Sequence, residues 1–226
     1  MVLVVLFVLM PAAVASAHDP IILTAEQTTP ASGPLLVDGT ISFALYGSLE
    51  GPTDTRGFRV QFQQDDPMYL SILIPDLAPE NALEVGLLPT LEVLDPMGEV
   101  STYEPTERVT FAEPYTGTNY VQLLEYEGLA LGGIYEITIK GKAASRFTVS
   151  VGKIEQFGTA VEDIDNRDLG VAGVMDWYAP PAETSTAPAS DNSTGVLLVV
   201  LVVLVALGVV AVVGARVRKR RQLQQP

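Results

Sequence analysis

Residues 195 to 215, GVLLVVLVVLVALGVVAVVGA, are 21 consecutive positions without a charge, and no other feature restricts the chain as much. As a helix this run would extend about 31 Å, against a bilayer hydrocarbon core of roughly 30 Å. A core helix of that length normally keeps a polar face, and this one has none, so a transmembrane helix is expected over 195–215. Arg216, Arg218, Lys219, Arg220 and Arg221 follow directly, while Asp191 precedes it with no base nearby. The positive-inside rule then makes residues 216–226 a basic cytoplasmic tail.

The opposite end carries a second apolar run, VLVVLFVLM at residues 2–10, too short to span. Pro11 and the small residues Ala15-Ser16-Ala17 follow it, a pattern that reads as a signal peptide over 1–17 cleaved after Ala17, although no Lys or Arg precedes the run. The two ends together predict a single-pass type I protein of the cell membrane, with residues 18–178 extracellular and the C-terminus cytoplasmic. Residues 179–194, APPAETSTAPASDNST, have no apolar period and read as a Pro/Ala/Ser/Thr stalk. The sequon Asn192-Ser193-Thr194 abuts the membrane, where a glycosylating enzyme has little access.

The remaining composition excludes several chemistries. There is no Cys, hence no disulfide framework, no thiolate-bound metal and no thiol nucleophile. His18 is the sole imidazole, which nearly excludes Ser-His-Asp catalysis and multi-His metal sites. All 27 Asp and Glu lie before residue 195, beside only eight of the 13 Lys and Arg. Nucleic acid and anionic headgroups are poor partners for such a surface. Cations, cationic ligands and concentrated salt suit it better, and the same charge keeps a surface domain soluble.

Within 18–178 the dominant period is two. Phe58, Val60 and Phe62 alternate with Arg59, Gln61 and Gln63; Tyr135, Ile137 and Ile139 with Glu136, Thr138 and Lys140; Phe147, Val149 and Val151 with Arg146, Thr148 and Ser150. Such strands have one wet and one buried face. Further strands are expected over 41–49, 68–74, 90–94, 108–111 and 120–126. Turns punctuate them at Asp65-Asp66-Pro67 and at Asp95-Pro96-Met97-Gly98, where Pro presets φ and Gly takes the fourth position. Eight or nine short strands predict an all-β ectodomain, an antiparallel β-sandwich or jelly roll spanning Ile21 to Gly152. Val161 to Tyr178 reads as an attached, helical extension that packs Trp177 on the domain or on the membrane surface.

The series Gly47-Ser48-Leu49, Gly57-Phe58-Arg59-Val60, Leu91 to Val100, Gly132 to Ile137 and Arg146 to Gly152 resembles the bacterial pre-peptidase C-terminal family over residues 45–152. The resemblance implies a jelly-roll sandwich of the kind appended to secreted enzymes and surface proteins. Two segments depart from it. Arg56-Gly57-Phe58 stands where the family often has Asp-Trp or Asp-Tyr, and Leu88-Pro89-Thr90-Leu91 replaces an alternating Asp pattern. The calcium ligands of some relatives therefore do not carry over, and the usual enzyme partner is absent from this chain.

Four features offer chemistry. His18, as a mature N-terminus with Asp19 beside it, has an α-amine and an imidazole that can chelate copper, but the second imidazole is missing. Glu162 to Asp168 has Asp163 and Asp165 spaced as the first ligands of a calcium loop, but Arg167 occupies the third ligand place and no Gly follows. Calcium is thus compatible with the composition without a complete motif. No catalytic motif is recognised, and no catalytic or metal residues are assigned. Paired carboxylates can be found anywhere in so acidic a chain, and a carboxylate-dependent hydrolase is the weakest alternative. Lastly, Tyr103, Phe111, Tyr115, Tyr120 and Tyr126 crowd the long stretch Thr102 to Gly128. Core packing accounts for some of these rings; beside carboxylates and amides the others can stack a glycan or take a cationic protein ligand. The loop-like segment 114–120 marks Tyr115, Asn119 and Tyr120, with Glu113 supplying charge, as the expected ligand-binding patch. The reading is a non-catalytic recognition or structural module, with a cation-binding ectodomain as its alternative.

Overall fold

The computed structural model describes residues 19–179 except 115, 157, 165, 166, 168 and 169. The segment 1–17 expected as a signal, His18, the sequence from Pro180 onward with its apolar run, and Tyr115 lie outside the described residues. Among the described residues no helix is long and apolar enough to cross a membrane.

Each alternating segment forms a strand and turns its apolar side inward. The elements are β1 (Asp19–Ile22), β2 (Leu35–Leu36), β3 (Phe43–Leu49), β4 (Thr55–Phe62), β5 (Pro67–Pro75), β6 (Thr90–Leu94), β7 (Val100–Tyr103), β8 (Val109–Ala112), β9 (Asn119–Leu129), β10 (Gly133–Lys140), β11 (Ser145–Val151), β12 (Val161–Glu162) and α1 (Gly170–Tyr178). They build two six-stranded sheets, ordered β1-β3-β11-β5-β9-β8 and β12-β2-β4-β10-β6-β7. Phe58, Val60 and Phe62 of β4, Ile137 and Ile139 of β10, and Phe147, Val149 and Val151 of β11 fill the space between them, all almost fully buried. Each such side chain contributes roughly 1.5–3 kcal/mol on leaving water.

Two expectations need correction. The sandwich is not wholly antiparallel, since β1 pairs with β3 and β2 with β4 in parallel. In each case the chain returns by a long connection rather than a hairpin, which is what parallel pairing requires. Nor does every strand have one wet face: Arg146, Thr148 and Ser150 on the outer side of β11 are buried as well. On that outer side α1 packs against β1 and β3, and Ala44, Tyr46, Leu73, Tyr120 and Val174 form a second small core.

Strand direction divides the sandwich into two ends. The turns 63–66, 95–99 and 130–132 lie at one end, here the tip. Residues 50–54, 76–89, 113–118 and 141–144 lie at the other, the base, as the register of β4 with β10, β10 with β6 and β5 with β9 requires. The C-terminus of α1 reaches the base: Trp177 Nε1 donates to Gly47 O at 3.0 Å, and Gly47 sits near the β3 end that pairs with Ser145.

Candidate functional site

At the base, the expected patch resolves into unlike parts. Tyr120 is 2% exposed, with its ring 6.5 Å from that of Trp177 in a near-parallel stack and 5.5 Å from Tyr178 edge-on. The expectation that it is a free recognition ring is therefore corrected. Burial, relieved in part by hydrogen bonds from Thr118 and Tyr46, pushes its phenol up to about 12. The hydroxyls of Tyr120, Thr118 and Thr116 follow one another at 3.0 and 2.5 Å, and Thr116 donates N–H and O–H to Glu113 Oε2 at 2.6 and 2.5 Å. Glu113 is accordingly buried in its own turn. Asn119 is exposed, but its backbone is bracketed by Tyr178, whose hydroxyl accepts from the N–H and donates to the carbonyl. Tyr115 lies outside the described residues.

The reason is a bulge. Leu73 faces Gln122 while Ile72 faces Leu124, so Leu123 is an extra residue in β9. One inserted residue reverses the alternation. Tyr120, before it, turns to the outer face under α1, whereas Tyr126, an even number of positions later, turns to the gap between the sheets.

Tyr126 there meets Tyr103 of β7, ring centroids 5.2 Å apart. With Tyr135 of β10 they line a cavity of about 230 Å³ that opens toward the tip, together with Ser101, Asp95 and Glu99. Leu129 and Leu131, 71% and 38% exposed, form part of its wall. Local sequence explains the frame. Asp95 Oδ1 accepts the N–H groups of Met97 and Glu99, both at 2.8 Å, and Gly98 at φ +87 donates to Asp95 O, closing the expected turn. Gly133, at φ +139, lies so close to Pro96 that a Cβ would sit 2.8 Å from the ring, which locks the β6–β7 and β9–β10 turns together. The third turn joins them through Asp65 N–H to Ala130 O and Ala130 N–H to Asp66 O, each 2.9 Å.

Two phenols of this cavity, Tyr103 and Tyr135, are held above their ordinary values. Burial, then neighbouring Tyr126, holds Tyr103 above its ordinary value. Tyr135 is also raised by burial, although its oxygen accepts the Leu131 N–H at 2.8 Å, and the charge of Asp95 adds to the rise. The site therefore brings together the half-buried rings of Tyr103 and Tyr126, the almost fully buried Tyr135 and two carboxylates. Sequence reading had placed Tyr103 and Tyr126 in the aromatic crowd; it missed Tyr135, Asp95, Glu99 and Ser101, and the one available signal was their parity on β10 and β7 around a turn already recognised.

A larger cavity, about 370 Å³, lies at the base beside Arg146, Glu80, Ser145 and Trp177. Its charged groups bind each other. Arg146 Nε and Nη2 meet Glu80 at 2.6 and 2.8 Å, and Nη1 donates to the carbonyls of Trp177, Tyr178 and Ala179. Of the expected calcium segment, Asp163 pairs with Arg59 at 2.5 Å and Arg167 with Asp19, while Asp165, Asn166 and Asp168 lie outside the described residues. Among the described residues no group of three or more His, Cys, Asp or Glu is placed to hold a metal ion.

No protein-family model matches the chain, and no curated protein matches it. Among solved structures it is similar to the pre-peptidase C-terminal domain of collagenase from Bacillus anthracis, 12% identical over 60% of this chain and 95% of that one, with a TM-score of 0.31. That domain bears the name of the family the strand and turn motifs resemble; at that score the likeness carries no argument about the site.

Proposed function

We propose that this protein is a non-catalytic recognition module displayed at the cell surface, a type I single-pass membrane protein whose jelly-roll-like sandwich binds its ligand at the tip. One observation carries the reading: the cavity of Tyr103, Tyr126 and Tyr135 with Asp95 and Glu99 opens at the end opposite the point where the described chain ends, at Ala179. The reading takes the sequence after Ala179 as a stalk and membrane tether. The supports for the tether are the 21 uncharged residues and the bases after them. Turns on a rigid sandwich are suited to recognition, because they vary without disturbing the core. Nucleic acid is a poor partner for an acidic surface of this kind.

Two measurements test the reading. Protease treatment of intact cells should release part of residues 18–178 and leave the tail protected; a C-terminal tag accessible on unpermeabilised cells reverses the topology. Full-length chain probed against glycan and peptide arrays should show binding that Tyr103→Ala removes. Ligands indifferent to that substitution would place recognition elsewhere.

A further inference from the structure

All eight Lys and Arg of the described residues are engaged. Seven pair with carboxylates, and the eighth, Arg108, donates to the carbonyls of Asn81 and Leu83. None of those pairs involves Asp65, Asp66, Asp95 or Glu99, the four carboxylates of the tip turns. The tip thus carries negative charge that no described side chain neutralises, and two of these carboxylates, Asp95 and Glu99, line the cavity together with Tyr103, Tyr126 and Tyr135. Resting on the recognition reading above, we propose that this cavity takes the ammonium or guanidinium end of a Lys or Arg side chain from an extended, partly apolar segment of a partner protein.

Three features of the site select that class. The volume of about 230 Å³ falls below the roughly 300–1,000 Å³ of pockets that enclose a whole small molecule, but it admits one side-chain end. Aromatic faces beside carboxylates attract an organic cation by both the ring quadrupole and the charge, more strongly where water is excluded. A hard divalent cation wants roughly six to eight oxygens, whereas this cavity brings two carboxylates, one with an oxygen already accepting two N–H groups of its own turn. A neutral sugar would stack on the rings yet leave the tip charge uncompensated. The rim adds the second requirement. Leu129, 71% exposed, lines the cavity, and Met97, 81% exposed, stands on the turn between its two carboxylates, so apolar neighbours of the cation gain burial there.

The test uses the full chain in phosphatidylcholine nanodiscs and a library of capped pentapeptides. Lys, Arg, ε-acetyl-lysine, norleucine or Glu stands at the centre, flanked by all combinations of Leu, Val, Tyr and Ser. Binders should concentrate in the Lys and Arg sets and weaken about tenfold on acetylation, the scale of a partly desolvated cation–π contact with its charge partner. Asp95→Asn should weaken them several-fold while keeping the turn, because Asn retains the Oδ1 acceptor; Glu99→Gln, on an exposed residue, should do the same. Glu26→Gln, an exposed carboxylate far from the tip, should change nothing. Binders spread evenly over neutral and charged centres, or equal losses from Asp95→Asn and Glu26→Gln, would overturn the proposal as diffuse attraction. A glycan bound in a Tyr103-dependent but Asp95-independent way overturns it while leaving the recognition reading intact. If nothing in either array depends on Tyr103, both fall.

Discussion

At the base of the sandwich the guanidinium of Arg146 meets both oxygens of Glu80 and three carbonyls at the end of α1. At the tip, Asp65, Asp66, Asp95 and Glu99 have no cationic partner among the described residues. Aromatic rings differ in the same sense: Tyr46, Tyr120, Trp177 and Tyr178 pack on each other beneath and along the helix, whereas Tyr103, Tyr126 and Tyr135 leave a cavity between them. Similar residue types therefore do opposite things at the two ends. Where every buried donor and acceptor has a partner, the group holds the fold; where charge and ring surface are left over at the surface, water satisfies them and a ligand can replace it.

The sharpest way to break this contrast is to open the base. Arg146→Ala would leave Glu80, 3% exposed, as an uncompensated buried charge and uncap α1. The expected loss is about 3–5 kcal/mol, read by denaturant unfolding. Arg146→Met combined with Glu80→Leu should recover most of it, since the penalty lies in the orphaned charge. A loss under about 1 kcal/mol for the single variant would mean that water reaches Glu80 and the base is as open as the tip.

Tyr120→Ala should cost nearly as much, about 3 kcal/mol, because it removes a fully buried ring from under Trp177. Tyr103→Ala should cost less than half of that, its ring being only partly buried. Equal losses would erase the distinction between packed and presented tyrosines. That distinction was the least legible part of the sequence. Alternation alone located β4, β10 and β11, and Thr90–Leu94 matched its strand at both ends. It missed β1, four residues with no alternation that pair in parallel with a strand some twenty residues on, and β7, whose Val100 and Thr102 are exposed. The rings of β9 were misread for a different reason. Tyr120 and Tyr126 have the same parity, and only the extra Leu123, forced by pairing with β5, separates their faces. A bulge is a property of two strands together, so one strand's sequence does not announce it.

Acid offers a milder probe of the base. Burial pushes the Glu80 carboxyl up, but the hydrogen bonds and charge of Arg146 outweigh it and hold the group below its ordinary value of 4.5. A depressed folded-state value means stabilisation that is fully present above the ordinary Glu range and is lost as pH falls through the folded value. The wild-type chain should therefore keep its stability from neutrality down to about pH 5 and lose it progressively below. Asp54, lowered by Arg56 and neighbouring N–H groups against its own burial, contributes to the same slope. The difference between wild type and Glu80→Gln across that window isolates Glu80; parallel curves would show that its charge does not couple to folding.

The smallest effect is expected at the tip. Met97 is 81% exposed, and its place in the turn depends on its N–H reaching Asp95 Oδ1, a bond that any residue but Pro retains. Met97→Ser should change unfolding free energy by no more than about 0.5 kcal/mol, as exposed substitutions away from packing generally do. It removes an exposed apolar side chain from the Asp95–Glu99 turn without touching the cavity's carboxylates, so any loss of peptide binding should fall on the apolar neighbours of the cation and leave the acetylation effect unchanged. Should Met97→Ser instead destabilise by 1 kcal/mol or more, the side chain would have to be packed against part of this protein in solution. The tip would then be covered by its own chain, and the contrast between a closed base and an open tip would fail at the residue where it is most exposed.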